Sequence, residues 1–138
     1  MGFGGVSRMN GFQGYEVNGN KLMIVPNAPG WFIIDTIDLA GVHAIALTTV
    51  WRKPPMTGYD FEIRLDAPNG KLLSSLSLPA QKEVKAVKND ATTNGGITIT
   101  GSFSPVTDGK LHNLYFISKP KKEGGGDQFG LQSLEFRL

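Results

Sequence analysis

The fold is decided by residues 31–78, which read WFIIDTIDLAGVHAIALTTVWRKPPMTGYDFEIRLDAPNGKLLSSLSL. Within this stretch, residues 60–65 alternate strictly between charged and apolar side chains. Every second side chain of a strand shares one face, so the pattern predicts a strand with one buried and one wet face. Residues 66–70 then combine a proline with an Asn-Gly pair, which favours reversal into a second, antiparallel strand at 71–78.

The rest of the chain shows similar short β patterns separated by turn residues. Residues 31–37 contain five apolar residues among seven, which predicts a strand buried on both faces or at a crowded edge of a sandwich. Residues 79–94 show no sustained apolar stripe, so we expect a long connection there. The other expected strands are residues 15–17, 21–25, 44–51, 97–103, 111–117 and 134–138. This pattern predicts an all-β fold, an antiparallel β-sandwich of two sheets packed face to face.

Composition narrows the functional classes. A chain of 138 residues is long enough to bury a real core, and we expect a flexible, glycine-rich arm at 1–14 followed by one domain at 15–138. A net charge of +2 is too small to predict nucleic-acid binding, and the absence of cysteine excludes thiol chemistry. No stretch has the length of a transmembrane helix, so no membrane insertion is expected. We take the N-terminus as the edge of a segment from a longer, exported polypeptide.

Five motifs in order resemble the family 6 carbohydrate-binding modules and their relatives. They are GWF at 30–32, IDLAGV at 37–42, FEIRLDAPNG at 61–70, GKLHNLYF at 109–116 and FGLQSLEF at 129–136. The resemblance implies a galactose-binding-domain-like β-jelly-roll that is not itself an enzyme. It also implies an extracellular, periplasmic or cell-surface location, because similar modules are attached to secreted glycoside hydrolases and to some redox enzymes.

Two functions follow from the resemblance. One is a carbohydrate-binding accessory module of a larger secreted enzyme, with a polysaccharide or oligosaccharide as its partner. The alternative is a packing or docking domain that joins neighbouring domains of the parent polypeptide and has lost sugar binding. The family's sugar cleft uses two aromatic side chains and an asparagine, whereas this sequence has Gly130 at the asparagine position and aliphatic residues at 22–24 where an aromatic is expected.

Replacement ligand-binding residues are expected at the end loops. Trp51 and Tyr59 bracket a Pro-Pro loop and Phe129 follows a triple glycine, and aromatic faces match the apolar C–H patch of a pyranose. Asp127 and Gln132 complete the expected site, because carboxylates and amides hydrogen-bond to sugar hydroxyls. The alternative for the three aromatic residues is packing in the core, which is the commoner fate of large apolar side chains.

No cofactor is expected. Some relatives hold a structural calcium ion with acidic residues of the first and last strands. In this sequence Gln132 stands where the relatives have an aspartate. Glu16 and Glu135 alone do not supply the six or more oxygens that calcium needs. The two histidines lie in separate segments without zinc-site spacing. The carboxylates of Asp60 and Glu62 fall on the solvent side of a strand, which is an ordinary place for charges, so no catalytic pair is expected.

Overall fold

A computed structural model describes residues 6–17, 20–51, 55, 57–80, 96–122 and 129–138. Ten strands occupy most of these residues, and no helix occurs among them. The strands are β1 (Val6–Asn10), β2 (Gln13–Val17), β3 (Asn20–Ile24), β4 (Gly30–Asp38), β5 (Ala44–Val50), β6 (Tyr59–Leu65), β7 (Leu72–Leu78), β8 (Thr98–Ser102), β9 (Leu111–Pro120) and β10 (Gly130–Arg137).

The strands form two antiparallel sheets of five. The first sheet has the order β1-β4-β9-β6-β7, and the second has the order β2-β3-β10-β5-β8. The expected all-β sandwich is therefore confirmed. Most of residues 79–94, the expected long connection, lie outside the described residues.

The core lies between the two sheets and is rich in aromatic rings. Phe32, Phe61 and Phe116, from adjacent strands β4, β6 and β9, are each no more than 1% exposed. The rings of Phe32 and Phe116 stack with centroids 4.7 Å apart, and Phe61 lies 5.5 Å from Phe116. Burial along β6 follows the alternation of its sequence as predicted, with Phe61 and Ile63 buried and Asp60 exposed.

Part of the N-terminal segment differs from the expectation of a flexible arm. Residues 6–10 form β1, which pairs antiparallel with β4. Phe12, just after β1, is 3% exposed and packs edge-on against Phe32 at 5.0 Å. The glycine-rich sequence of this segment does not predict its order, because β1 and Phe12 are held by β4, which is distant along the chain. The expected boundary between arm and domain at residues 14 and 15 stays a prediction.

No helix among the described residues has the length and apolar character needed to cross a membrane.

Candidate functional site

The outer side of the first sheet carries a set of side chains that includes two large aromatic rings. Phe32 and Phe116 point into the core, so their neighbours along β4 and β9 must point to the opposite side of the sheet. Among these neighbours, Trp31, Tyr115 and Ile117 lie outside the core cluster and are half-buried, whereas Ile33, opposite Tyr115, is 1% exposed. We call this surface the aromatic face, and we define it by Trp31, Tyr115, Ile117, Glu62 and Arg64.

Strand register brings these residues into two rows across the sheet. In one row Trp31 pairs with Ile117, which pairs with Glu62. In the other row Tyr115 pairs with Arg64. Trp31 and Tyr115 are therefore diagonal neighbours, within reach for large side chains. Their ring centroids lie 6.0 Å apart with an angle of 45° between the planes, so the two rings form a bent platform on the sheet.

Charged groups border the platform. Arg64 Nε donates to Glu62 Oε1 at 3.2 Å, and Arg64 Nη1 donates to the carbonyl of Gly70 at 2.9 Å. Lys119 Nζ also lies 3.7 Å from Glu62 Oε1. The side chains of Arg64 and Glu62 are 25% and 24% exposed, so both remain partly accessible to a ligand. Apolar ring faces beside a carboxylate and a guanidinium are groups that can stack on a sugar and hydrogen-bond to its hydroxyls.

One end of β9 carries a second cluster of polar side chains. His112 Nδ1 lies 2.7 Å from Asp66 Oδ2, and His112 Nε2 lies 2.8 Å from Asp108 Oδ2. Carboxylates only accept hydrogen bonds, so both ring nitrogens donate when both bonds are made, which requires the charged imidazolium. The pKa of His112 is raised above 6.5, chiefly by the hydrogen bond to Asp66 and also by that to Asp108, and desolvation opposes this shift. This bridge ties the turn after β6 to the loop before β9.

The pKa of Asp108 is lowered from 3.8. The main cause is the backbone N–H of Lys110, which donates to Asp108 Oδ1 at 3.0 Å. The hydrogen bond with His112 acts in the same direction, and desolvation opposes it.

The structure places the three predicted aromatic residues in the core and brings two of them together. Trp51, Tyr59 and Phe129 are 9%, 1% and 2% exposed, and all three belong to the core cluster. Tyr59 and Phe129 meet edge to face, with centroids 4.8 Å apart. This burial matches the packing alternative. Their role in ligand binding is untested and stays a prediction.

The two predicted polar residues fall elsewhere. Gln132 is exposed on β10 at the point where pairing with β5 shifts register. Asp127 lies outside the described residues. Gly130, which stands at the family's asparagine position, is buried between Ile24 of β3 and Val50 of β5.

The aromatic face was missed at the sequence level although part of its signal was present. In β9, Leu114 and Phe116 alternate with Tyr115 and Ile117, so both faces of the strand are apolar and the alternation does not say which one is buried. A better signal lies in β6, where Glu62 and Arg64 mark the wet face. Because β6 pairs with β9, the residues opposite them share that face.

Among the described residues, no three His, Asp or Glu side chains cluster in a way that could hold a metal ion. The absence of a cofactor stays an expectation.

Comparison with solved structures shows which fold this is. A family 6 carbohydrate-binding module from Clostridium cellulolyticum, solved with xylose, matches with a TM-score of 0.70 and 17% identity over 96% of this chain and 92% of that one. A β-1,3-glucan-binding family 6 module from Bacillus halodurans matches with a TM-score of 0.66 and 17% identity, over 96% of this chain and 90% of that one. The expected fold of family 6 modules is therefore confirmed.

A larger protein contains a similar segment. A family 43 arabinoxylan arabinofuranohydrolase from Bacillus subtilis, solved with cellotetraose, matches with a TM-score of 0.65 and 19% identity. The match covers 90% of this chain but 22% of that enzyme. No protein-family model matches the sequence, and no curated protein matches it.

Proposed function

We propose that this chain is a non-catalytic carbohydrate-binding module that binds a polysaccharide or oligosaccharide on the aromatic face. The observation that carries the proposal is the bent platform of Trp31 and Tyr115 outside the core, bordered by Glu62 and Arg64. The fold supports it, because the similar solved structures are named as modules that bind xylose or β-1,3-glucan.

The proposal extends to a role beside a parent enzyme. A module with weak affinity for a single sugar keeps an attached catalytic domain at high local concentration on a polymer, because each additional contact is intramolecular. The similar segment within a glycoside hydrolase supports this arrangement. Polysaccharides do not cross membranes intact, so we infer a location outside the cytoplasm.

Titration calorimetry with xylo-, cello- and β-1,3-gluco-oligosaccharides tests the proposal. Trp31→Ala and Tyr115→Ala should each weaken binding at least about tenfold, as expected for aromatic anchors of a binding site. Tyr15→Ala is the matched control, because Tyr15 is 59% exposed on β2 of the other sheet and should bind as the unchanged chain does.

Two outcomes contradict the proposal. Full binding by both variants would show that the site does not lie on the aromatic face. The same titrations would then test the expected end-loop site, which consists of Trp51, Tyr59, Phe129, Asp127 and Gln132. Absence of binding to neutral and acidic glycans alike would reject the carbohydrate-binding function.

A docking role is the second candidate, and a specific surface favours it. Tyr15 is the most exposed aromatic side chain among the described residues, and it stands opposite half-buried Leu22. Ile24 and Val50 flank Gly130 on the same sheet. Apolar surface of this kind could pack against a neighbouring domain of the parent polypeptide. This role predicts that Tyr15→Ala weakens interdomain association and that no glycan binds.

A further inference from the structure

A β-bulge in β4 lies next to the aromatic face. Pairing between β4 and β9 shifts between Ile34 and Ile37, so Asp35 and Thr36 together stand opposite Asn113. Thr36 has φ +54°, a left-handed conformation that is uncommon for a β-branched residue. Bulges re-aim side chains, and strained backbone persists where the surroundings determine it. The residue of β9 that faces this bulge is Asn113.

The bulge holds the side-chain amide of Asn113. The N–H of Thr36 donates to Asn113 Oδ1 at 2.9 Å, and this donor decides the orientation of the amide, because only the oxygen can accept. The backbone of Asn113 is held as well: its N–H donates to Asp66 Oδ1 at 3.0 Å, and its carbonyl accepts from the N–H of Asp66 at 2.8 Å. The position of Asn113 is thus fixed by two neighbouring segments.

The other end of the same amide is open. Asn113 is exposed, and within the described part of the chain its Nδ2 group has no acceptor. Leu114 and Phe116 point into the core, so Asn113 and Tyr115 share the outer side of β9. Positions two apart on a strand are separated by about 7 Å, a distance that a sugar ring stacked on Tyr115 and its hydroxyl groups can span.

We propose that Asn113 is a specificity-determining residue of the glycan site, whose Nδ2 group donates a hydrogen bond to an oxygen of the sugar stacked on Tyr115. This inference rests on the proposed function of the aromatic face and extends the site along β9. The bulge orients the donor before the sugar arrives, so little side-chain freedom is lost on binding.

Asn113→Asp separates this role from a purely structural one. Aspartate keeps an oxygen that accepts the N–H of Thr36, but it replaces the Nδ2 donor with a second acceptor. With a neutral xylo-, cello- or β-1,3-gluco-oligosaccharide that the unchanged chain binds, affinity should fall about three- to tenfold. Asn113→Ala loses both functions and should reduce affinity at least as much. Thermal unfolding of each variant reports separately on the support that Asn113 gives to the bulge.

A second measurement needs no variant. In ¹⁵N-edited spectra of the unchanged chain, the side-chain NH₂ signals of Asn113 should shift as the oligosaccharide is added. Unshifted Asn113 signals at saturation, or full affinity in folded Asn113→Asp, would overturn the inference. If Trp31→Ala and Tyr115→Ala still weaken binding at least about tenfold in that case, the proposed function stands and only the role of Asn113 fails.

Discussion

Replacing Phe129 should reduce stability and leave glycan affinity intact. The ring is 2% exposed and meets Tyr59 edge to face at 4.8 Å, so truncation removes nearly all of its buried surface and leaves a cavity. Truncations of this kind cost about 3 to 5 kcal/mol. Because an aromatic pair is lost as well, we expect about 4 kcal/mol for Phe129→Ala, a large part of the roughly 5 to 15 kcal/mol by which domains are stable.

Guanidinium denaturation followed by tryptophan fluorescence measures this loss, and calorimetry at low temperature measures the affinity of the folded protein. Phe129→Leu keeps much of the volume and should cost about 1 to 2 kcal/mol, which provides a folded variant if the alanine form is too unstable. Tyr15→Ala, at an exposed position, should change stability by less than about 0.5 kcal/mol. A Phe129→Leu protein with unchanged stability and greatly reduced affinity would refute the assignment of Phe129 to the core.

Two further predictions concern polar groups. Because the pKa of His112 is raised, its protonated bridge to Asp66 and Asp108 stabilises the fold fully below pH 6.5, and this stabilisation is lost as pH rises through the raised value. The thermal unfolding midpoint should therefore decline over this pH range, and His112→Gln should lack the decline. Equal pH profiles of the two proteins would contradict the bridge. Ser74→Ala removes a 2.7 Å hydrogen bond to a backbone carbonyl of β8 and should cost about 1 to 2 kcal/mol of unfolding free energy in urea denaturation. Ser118→Ala should be nearly neutral, because the buried Oγ of Ser118 has no partner within the described residues. A larger loss of stability in Ser118→Ala than in Ser74→Ala would contradict this prediction.

Most strands could be predicted because their information is local. The alternation of residues 60–65 and the turn at 66–70 need no knowledge of the rest of the chain, and both occur where expected. β1 could not be found in this way, since its short, glycine-flanked sequence becomes a strand through pairing with β4.

The site was harder to predict because exposure depends on neighbours that are distant in sequence. Trp31 and Phe32 are adjacent large aromatics, and nothing local indicates which one enters the core. Tyr59 offered a usable signal, because it lies two residues before Phe61 and so shares the buried face of β6. The role of Asn113 depends on a bulge in β4. No sequence pattern predicts that bulge.

The two tryptophans of the chain allow the most direct test of glycan binding at the aromatic face. Trp31 lies on that face, outside the core, and Trp51 belongs to the core between the sheets. A ¹⁵N-edited spectrum contains one indole N–H signal from each, and Trp51→Phe identifies them. On titration with an oligosaccharide that binds, the Trp31 signal should shift and the Trp51 signal should stay in place. A shift of the Trp51 signal with an unmoved Trp31 signal would contradict binding at the aromatic face.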